Sequence, residues 1–257
     1  MSNVNYAVCC VPVSSLRMEP NHYCEINSQL LFGEICMVME AGPENWIRIK
    51  CHFDGEEGWC HNSHVQEISN TAVAIDSPAL YAPEWVNEVE YKGQSMKVPF
   101  GSSWPVADGR NLVNGLKLPA QHWQPAASAP DKESIKRIAF NFLNTTYLWG
   151  GKSVFGIDCS GFAQSVYKLV GKQIRRNARD QVLSGESIGF LQEAVCGDLA
   201  FFDDEEGKIV HVGILLDTEE IIHASGKVRI DKIDNMGIVN VDTGKRTHRL
   251  RVIKRYF

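Results

Sequence analysis

The sequence predicts an α+β protein in which small antiparallel β modules precede a domain of helices packed on an antiparallel sheet. Short apolar stretches broken by turn residues fill the first half, and a Pro/Ala-rich stretch at residues 124–130 ends it. Two amphipathic helix patterns and a series of strand patterns follow. The 257 residues suit one large domain or two to three small ones.

Composition and charge narrow the class of protein. Hydrophobic residues make up 44% of the chain and charged residues 22%, which is typical of a globular protein. The formal net charge of −5 argues against a broad basic surface for nucleic acid or anionic lipid. No apolar run reaches the ~18 residues of a membrane span, and residues 1–17 make a poor secretory signal. We therefore expect a cytoplasmic protein with no nucleic-acid or membrane partner, and the oligomeric state stays open.

The cysteine pattern favours free thiols over disulfides or a metal site. Six of the eight cysteines lie in the first quarter of the chain: Cys9, Cys10, Cys24, Cys36, Cys51 and Cys60. Cys9 and Cys10 are adjacent and no C-x-x-C occurs, so buried free thiols are predicted for a cytoplasmic chain. Histidines accompany two of them at positions 52, 61 and 64, but the spacing fits no standard zinc pattern. No metal and no cofactor are predicted.

Residues 1–68 predict a small β-barrel module. Residues 46–51 (WIRIKC) alternate apolar and polar side chains, which is typical of a half-buried strand, and Asp54-Gly55 predicts a turn. Residues 72–126 repeat this texture weakly and predict a second, divergent β module. Asp131 follows the linker as the predicted N-cap of a helix.

Residues 131–257 predict the α+β domain. Four apolar residues beginning at Ile135 share one helical face, and four beginning at Phe162 share another. Strand patterns then follow at residues 198–202, 211–216, 220–224, 227–230 and 250–256. This order indicates helices packed on one antiparallel sheet.

Cys159 is the strongest candidate for a reactive side chain. It stands at the predicted start of a helix, where the helix dipole favours the thiolate form. A buried structural cysteine would fit that position too. His211 and His223, 12 residues apart on two predicted strands joined by a turn, change the balance. Antiparallel pairing places them side by side, so that one imidazole can take the thiol proton and the other can orient the first.

Four motifs carry a resemblance to a known family. Residues 147–151 (YLWGG), 158–162 (DCSGF), 211–214 (HVGI) and 222–225 (IHAS) resemble, in this order, the NlpC-type cysteine peptidases of bacterial cell-wall metabolism. The resemblance implies a papain-like domain with Cys159 as nucleophile, His211 as general base and His223 as the third, orienting residue. It also implies that the Tyr147 hydroxyl and the Cys159 backbone N–H form the oxyanion hole.

The first half sharpens this resemblance. Residues 16–22 (LRMEPNH), 29–34 (QLLFGE) and 58–59 (GW) resemble the bacterial SH3-like module of the γ-D-glutamyl-L-diamino-acid endopeptidases. Such a relationship implies hydrolysis of peptidoglycan-derived peptides with a free N-terminal L-Ala, in murein peptide recycling. The diamino acid, diaminopimelate or lysine, stays open.

The same resemblance implies a set of substrate-binding residues. An acidic side chain would hold the substrate ammonium, since a buried ammonium needs an anion, and the candidates are Asp158 and Glu25. Ser160 and Trp149 complete the set, although Ser160 could simply cap the helix and Glu25 could be a solvated carboxylate. Residues 175–181 (RRNARDQ) depart from the family pattern. Their arginines could pair with the substrate carboxylate or be plain surface charge.

Other functions fit the sequence less well. Residues 185–189 (GESIG) match the serine-hydrolase elbow, but the preceding residues are too polar for the buried strand it requires. Residues 151–153 (GKS) lack the first glycine of a phosphate-binding loop. A cysteine amidase or acyltransferase on the same fold remains open, as does a cell-wall-binding module with an inactive peptidase domain. The intact set of Cys159, His211 and His223 favours the peptidase.

Overall fold

The computed structural model describes residues 5–69, 80–107, 110–117, 123–127 and 131–257. The chain divides into two compact units. The first comprises residues 1–126 together with Trp149–Val154, and the second comprises Ala127–Leu148 together with Phe155–Phe257. Parts of the predicted second module and of the predicted linker lie outside the described residues.

A seven-stranded antiparallel sheet forms the beginning of the first unit. Its strands lie in the order β3-β2-β6-β5-β4-β1-β7, and a short 3₁₀ turn at Asn62–His64 precedes the last of them along the chain. The strands are β1 (Asn5–Cys9), β2 (Val13–Arg17), β3 (Ile26–Leu31), β4 (Ile35–Ala41), β5 (Trp46–Cys51), β6 (Glu57–His61) and β7 (Val65–Ile68). The predicted strand at residues 46–51 is confirmed.

Apolar side chains and thiols fill the interior of this sheet. Leu16, Leu30 and Ile49 are buried there together with Cys9, Cys36, Cys51 and Cys60. The eight cysteines all lie within the described ranges, and each is a free thiol there. Five of the six early thiols are buried as predicted, and Cys24 is half-buried.

Short strands make up the rest of the first unit. They are β8 (Leu80–Tyr81), β9 (Val86–Tyr91), β10 (Gln94–Pro99), β11 (Ser103–Trp104), β12 (Val106–Ala107), β13 (Arg110–Asn111), β14 (Leu116–Lys117), β15 (Gln124–Pro125) and β16 (Lys152–Ser153). Val8 of the first sheet and Phe32, which follows β3, share a core with Trp104 and Trp123. That residues 72–126 form an SH3-like module of their own stays a prediction.

One glycine lets these two parts of the first unit approach each other. Gly33 has a φ of +79°, and a Cβ atom there would lie 1.7 Å from the carbonyl oxygen of Ser103. Glycine adopts this conformation readily, and because it lacks a Cβ atom it leaves room for the Ser103 carbonyl.

Two of the three helices described for the second unit begin where the sequence predicts, and the third, at Ala178–Gln181, was not predicted. They are α1 (Lys132–Phe140), α2 (Cys159–Leu169) and the short α3 (Ala178–Gln181). Asp131 caps α1 by accepting a hydrogen bond from the Ser134 N–H at 2.8 Å, which confirms its predicted role. None of the helices in the described ranges combines the length and the apolar character of a membrane span.

The main sheet of the second unit closes into a barrel. Its strands lie in the order β18-β24-β19-β20-β21-β22-β23, and β24 also pairs with β23. Its strands are β18 (Glu186–Ile188), β19 (Leu199–Asp203), β20 (Ile209–Leu215), β21 (Glu220–Ser225), β22 (Lys227–Asp234), β23 (Gly237–Val239) and β24 (Arg246–Arg255). A further short strand of the second unit, β17 (Gly156–Ile157), lies outside this sheet. The predicted α+β class is confirmed in this coarse form, and α2 packs against β20 and β21.

Candidate active site

Cys159 is the first residue of α2 and is 6% exposed. The side chain of Asp158 caps the helix by accepting a hydrogen bond from the Gly161 N–H at 2.6 Å. Since α2 packs against β20 and β21, the start of this helix lies in the same unit as both predicted histidines.

Burial determines the protonation state of the Cys159 thiol. It raises the pKa of Cys159 to about 11, and the negative charge of Asp158 raises it further than burial alone. The backbone N–H groups of Val212 and Ser160 act in the opposite direction but do not outweigh these effects. The start of the helix favours the thiolate form, whereas burial and the negative charge of Asp158 oppose it. This thiol needs a base that removes its proton during reaction.

His211 and His223 are placed to supply that base. They lie on the neighbouring antiparallel strands β20 and β21, and His211 Nε2 is 2.8 Å from His223 Nδ1. Burial, and then the charges of His223 and His248, hold the pKa of His211 well below its ordinary value. A neutral His211 can accept a proton, and its neighbour Val212 contacts the Cys159 thiol through its N–H. The predicted side-by-side arrangement of the two histidines is confirmed.

Asp231, which was not predicted from the sequence, continues the line of hydrogen bonds from His211 through His223. His223 Nε2 lies 3.0 Å from Asp231 Oδ2, and both side chains are 1% exposed. Arg229 contacts the same carboxylate, with its Nε 2.9 Å from Oδ2 and its Nη2 donating to Oδ1 at 2.9 Å. The available signal was an acidic residue at an inward position of β22, but the predicted strand ended at Ile230, one residue before it.

His248 on β24 is a second residue that sequence reasoning missed. Its ring stacks on that of His211, and burial followed by the charge of His223 lowers the pKa of His248 to about 4. One ligand atom of each of His211, His223 and His248 lies within 4.8 Å of the others. Imidazole nitrogens suit a zinc-type ion, although two of these rings are hydrogen-bonded to each other.

Tyr147 lies on a segment held against the start of β22. Its N–H donates to the Gly226 carbonyl at 2.9 Å, and Thr146 forms a bridge with Lys227. Burial, and then the negative charges of Cys159 and Asp158, raise the pKa of Tyr147. The hydroxyl therefore stays protonated and can donate a hydrogen bond near Cys159.

Asp158 and Ser160 are held by a buried arginine. Arg176 Nη1 donates to Asp158 Oδ1 at 3.0 Å and Nη2 donates to Oδ2 at 2.6 Å. The same Nη1 donates to Ser160 Oγ at 3.0 Å, and that hydroxyl lies 3.2 Å from Asp158 Oδ1. Arg176 is thus no surface charge, since its side chain is 1% exposed, whereas the side chain of Arg179 is 77% exposed. The sequence alone left these arginines as partners of the substrate carboxylate or as plain surface charge, and the ion pair of Arg176 with Asp158 was not predicted.

Two of the predicted substrate-binding residues belong to the first unit. Glu25 is exposed, and Trp149 is 60% exposed. Their roles, like those of Asp158 and Ser160, stay predictions.

Lys152, the lysine of the GKS motif at residues 151–153, forms buried ion pairs instead of a phosphate-binding site. Its ammonium is 3.7 Å from Glu34 Oε2 and 3.6 Å from Asp54 Oδ2, and all three side chains are 5% exposed or less. Its backbone N–H donates to Gln29 Oε1 at 2.8 Å. This buried cation neutralises two carboxylates within the first unit.

The other rejected motifs stay without a catalytic context. Ser187 of the G-x-S-x-G match lies on strand β18 and accepts a hydrogen bond from Lys254, whereas the elbow requires a turn into a helix. Cys51 and Cys60 belong to the buried core of the first sheet, and burial raises the pKa of both thiols.

Family models match both units of this chain. The model described as NlpC/P60 family matches residues 144–247, and the model described as bacterial dipeptidyl-peptidase SH3 domain matches residues 16–65. The first match contains Tyr147, Cys159, His211 and His223.

Named relatives cover most of the chain. A γ-D-glutamyl-L-lysine dipeptidyl-peptidase of Bacillus subtilis (strain 168) is 44% identical over 222 residues, which span 77% of this chain and 72% of that protein. A protein of the same name from Bacillus cereus (strain ATCC 10987) is 24% identical over 257 residues, with 87% and 75% covered. A solved structure of an NlpC/P60 family protein from Bacillus cereus ATCC 10987 has a TM-score of 0.80 at 19% identity, covering 98% of this chain and 99% of that one. This last likeness concerns the fold alone.

Proposed function

Because this chain belongs to the NlpC/P60 family, we propose that it is a cysteine endopeptidase that cleaves the bond between γ-D-glutamate and an L-diamino acid in peptidoglycan-derived peptides. The observation that carries the proposal is the hydrogen-bonded pair of His211 and His223 in the same unit as Cys159, whose thiol contacts the N–H of Val212, the neighbour of His211. The activity named for the relative from Bacillus subtilis supports this choice of bond.

Hydrolysis would proceed through an acyl-enzyme. His211 takes the proton of the Cys159 thiol while Sγ attacks the γ-carbonyl carbon of D-glutamate. The Tyr147 hydroxyl and the Cys159 N–H stabilise the negative oxygen that forms. His211 then gives the proton to the departing amine of the diamino acid, and the C–N bond breaks. Water, deprotonated by His211, cleaves the thioester and regenerates the thiol.

Recognition of the free amine of L-Ala is assigned to Glu25 and Asp158. An ammonium withdrawn from water needs an anionic partner. Arg176 already neutralises Asp158, so we expect the larger share of ammonium binding from Glu25. Ser160 and Trp149 are assigned to substrate binding as well. A substrate range limited to short peptides with a free amine suits recycling of wall peptides in the cytoplasm.

The test uses defined peptides and mass spectrometry. The protein is incubated with L-Ala-γ-D-Glu-meso-diaminopimelate, with the L-lysine analogue and with the N-acetylated form of each, and Cys159→Ala is the control. We expect release of L-Ala-D-Glu from the free-amine peptides only, and only with Cys159 present. Cleavage of acetylated peptides at equal rates would overturn the amine requirement. Transfer of the acyl group to an added amine without hydrolysis would show an acyltransferase instead.

The role of Glu25 is tested by Glu25→Gln, with Glu19→Gln as the control at a neighbouring exposed carboxylate. Loss of the anion should raise KM for the free-amine peptide while kcat changes little, because binding rather than chemistry is affected. Equal KM values for the two variants would remove Glu25 from the site.

A further inference from the structure

We propose that Asp231 is a positioning residue that determines, through His223, which nitrogen of His211 accepts the thiol proton. The inference rests on the proposed function and deepens it, because it names the side chain that sets the state of the general base. It follows from the order of the hydrogen bonds along the row of Asp231, His223 and His211.

Asp231 is an ionised carboxylate in a buried position. Its side chain is 1% exposed, and Oδ1 accepts hydrogen bonds from the Val241 N–H at 3.0 Å and from Arg229 Nη2 at 2.9 Å. The positively charged guanidinium of Arg229 lies 2.9 Å from each of the two carboxylate oxygens and favours the ionised form. An ionised carboxylate can accept hydrogen bonds but cannot donate one.

This restriction passes along the row. Since Asp231 Oδ2 only accepts, the proton of a neutral His223 must lie on Nε2, 3.0 Å away. Nδ1 of His223 is then an acceptor, so His211 must direct a protonated Nε2 toward it across 2.8 Å. Nδ1 of His211 is left with a lone pair. The geometry therefore makes Nδ1 the atom that receives the thiol proton.

Arg229 keeps Asp231 from becoming a base itself. Its guanidinium contacts both oxygens of Asp231 and extends to Asp242 Oδ2 at 2.7 Å. The positive charge stabilises the ionised carboxylate, so Asp231 holds the proton of His223 in place without taking it. An asparagine at position 231 would lose this directionality, because an amide can donate to or accept from either tautomer of His223.

The tautomers can be observed directly. Nitrogen-15 NMR of the imidazole-labelled protein at neutral pH distinguishes protonated from unprotonated ring nitrogens. We expect protonated Nε2 and unprotonated Nδ1 in both His211 and His223, with His223→Gln and His211→Gln used for assignment. A proton on Nδ1 of His211 in the unaltered protein would overturn the proposal, and this measurement needs no variant of Asp231.

Variants add a kinetic test with a matched control. Asp231→Asn should lower kcat by about 10²-fold with little change in KM, since supporting partners contribute about 10–100-fold and a comparable substitution in a serine triad about 10⁴-fold. Asp242→Asn removes the exposed partner of Arg229 and should stay within about twofold of the parent. The NMR spectrum of Asp231→Asn should show a mixture of tautomers. Parent-like tautomers together with parent-like kcat would refute the role of Asp231.

Failure of the proposed peptidase function can be distinguished from failure of the proposal for Asp231. If the unaltered protein cleaved none of the peptides, the peptidase assignment would fall. The ring-nitrogen measurement would still decide the tautomers, and the rate of Cys159 alkylation in the parent and in Asp231→Asn would report the basicity of His211 without any substrate.

Discussion

The imidazole ring of His248 stacks on that of His211, with ring centroids 4.1 Å apart and planes inclined by 26°. The ring of Phe202 packs beside both histidines, with its centroid 5.7 Å from that of His211 and 5.8 Å from that of His248. In these surroundings both histidines are uncharged at neutral pH, because burial holds the pKa of each below its ordinary value. Uncharged imidazoles in a cluster serve equally well as proton acceptors and as metal ligands.

Zinc should therefore inhibit the enzyme reversibly. The ion would engage nitrogens of His211, His223 and His248, which removes the general base from the reaction. Inhibition constants are measured by titrating Zn²⁺ against peptide hydrolysis, and a chelator should restore the activity. Mg²⁺ should have no such effect, since it prefers oxygen ligands.

His248→Gln tests the ligand set. Relative to its own uninhibited rate, this variant should have an inhibition constant raised by about 10–100-fold or more, in the range known for lost metal-site interactions. His52→Gln, at an exposed histidine of the first unit, serves as the matched control. Equal inhibition of the two variants would place the zinc elsewhere.

The reactivity of Cys159 toward iodoacetamide should increase with pH far beyond neutrality. Its pKa is raised from 9.0 to about 11, so the thiolate fraction grows about tenfold per pH unit across the neutral range. Rates of modification, followed by mass spectrometry of the Cys159 peptide, give the profile, and Cys24 in the same digest is an internal comparison. A plateau reached below pH 7 would instead indicate a resting thiolate–imidazolium pair.

Loss of the Tyr147 hydroxyl should slow the chemical step. Tyr147→Phe removes one donor to the developing oxyanion, which corresponds to a decrease of about 10²–10³-fold in kcat with a nearly constant KM. Steady-state kinetics with the free-amine peptide measure the effect, and Tyr23→Phe, at a fully exposed tyrosine, is the control. If Tyr147→Phe lost less than about tenfold, oxyanion stabilisation would have to come from other donors.

Removal of Arg176 should destabilise the protein. Arg176→Ala leaves the buried carboxylate of Asp158 without its partner, which costs about 3–5 kcal/mol of the free energy of unfolding. Urea denaturation gives this difference, and Arg179→Ala, at an exposed arginine, should be unchanged within error. Adding Asp158→Asn to Arg176→Ala should recover part of the loss, because asparagine keeps the helix cap without the charge. No recovery in the double variant would place the effect of Arg176 elsewhere.

Much of the site could be predicted from local pattern. Cys159 at a helix start and two histidines 12 residues apart on strand patterns are local signals, and antiparallel pairing converts the second into contact. The order of the motifs that contain these residues along the chain was enough to identify the family resemblance. The strand at residues 46–51 and the cap of α1 depend on equally local rules.

The missed residues depend on long-range pairing. His248 lies beside His211 because β24 pairs with both β19 and β23. The first four residues of β24 (RTHR) are polar, so no apolar pattern predicts this part of the strand. At Gly237, φ is +132° and a Cβ atom would lie 1.8 Å from the His248 carbonyl oxygen, so a single glycine permits the approach of β23 to β24. The raised pKa of Cys159 could not be predicted from the sequence for a related reason, since the amount of burial is a property of the whole fold.

The buried lysine of the first unit limits how the two halves of this chain can be exchanged. Lys152 lies between Tyr147 and Cys159 along the chain, yet it folds with Glu34 and Asp54. A crossover at residue 127 that joined the second half to a foreign first half would separate the buried cation from both anions, and breaking a buried ion pair is costly. Recombination would therefore preserve the two halves as a matched pair, or require compensating changes at positions 34, 54 and 152 together.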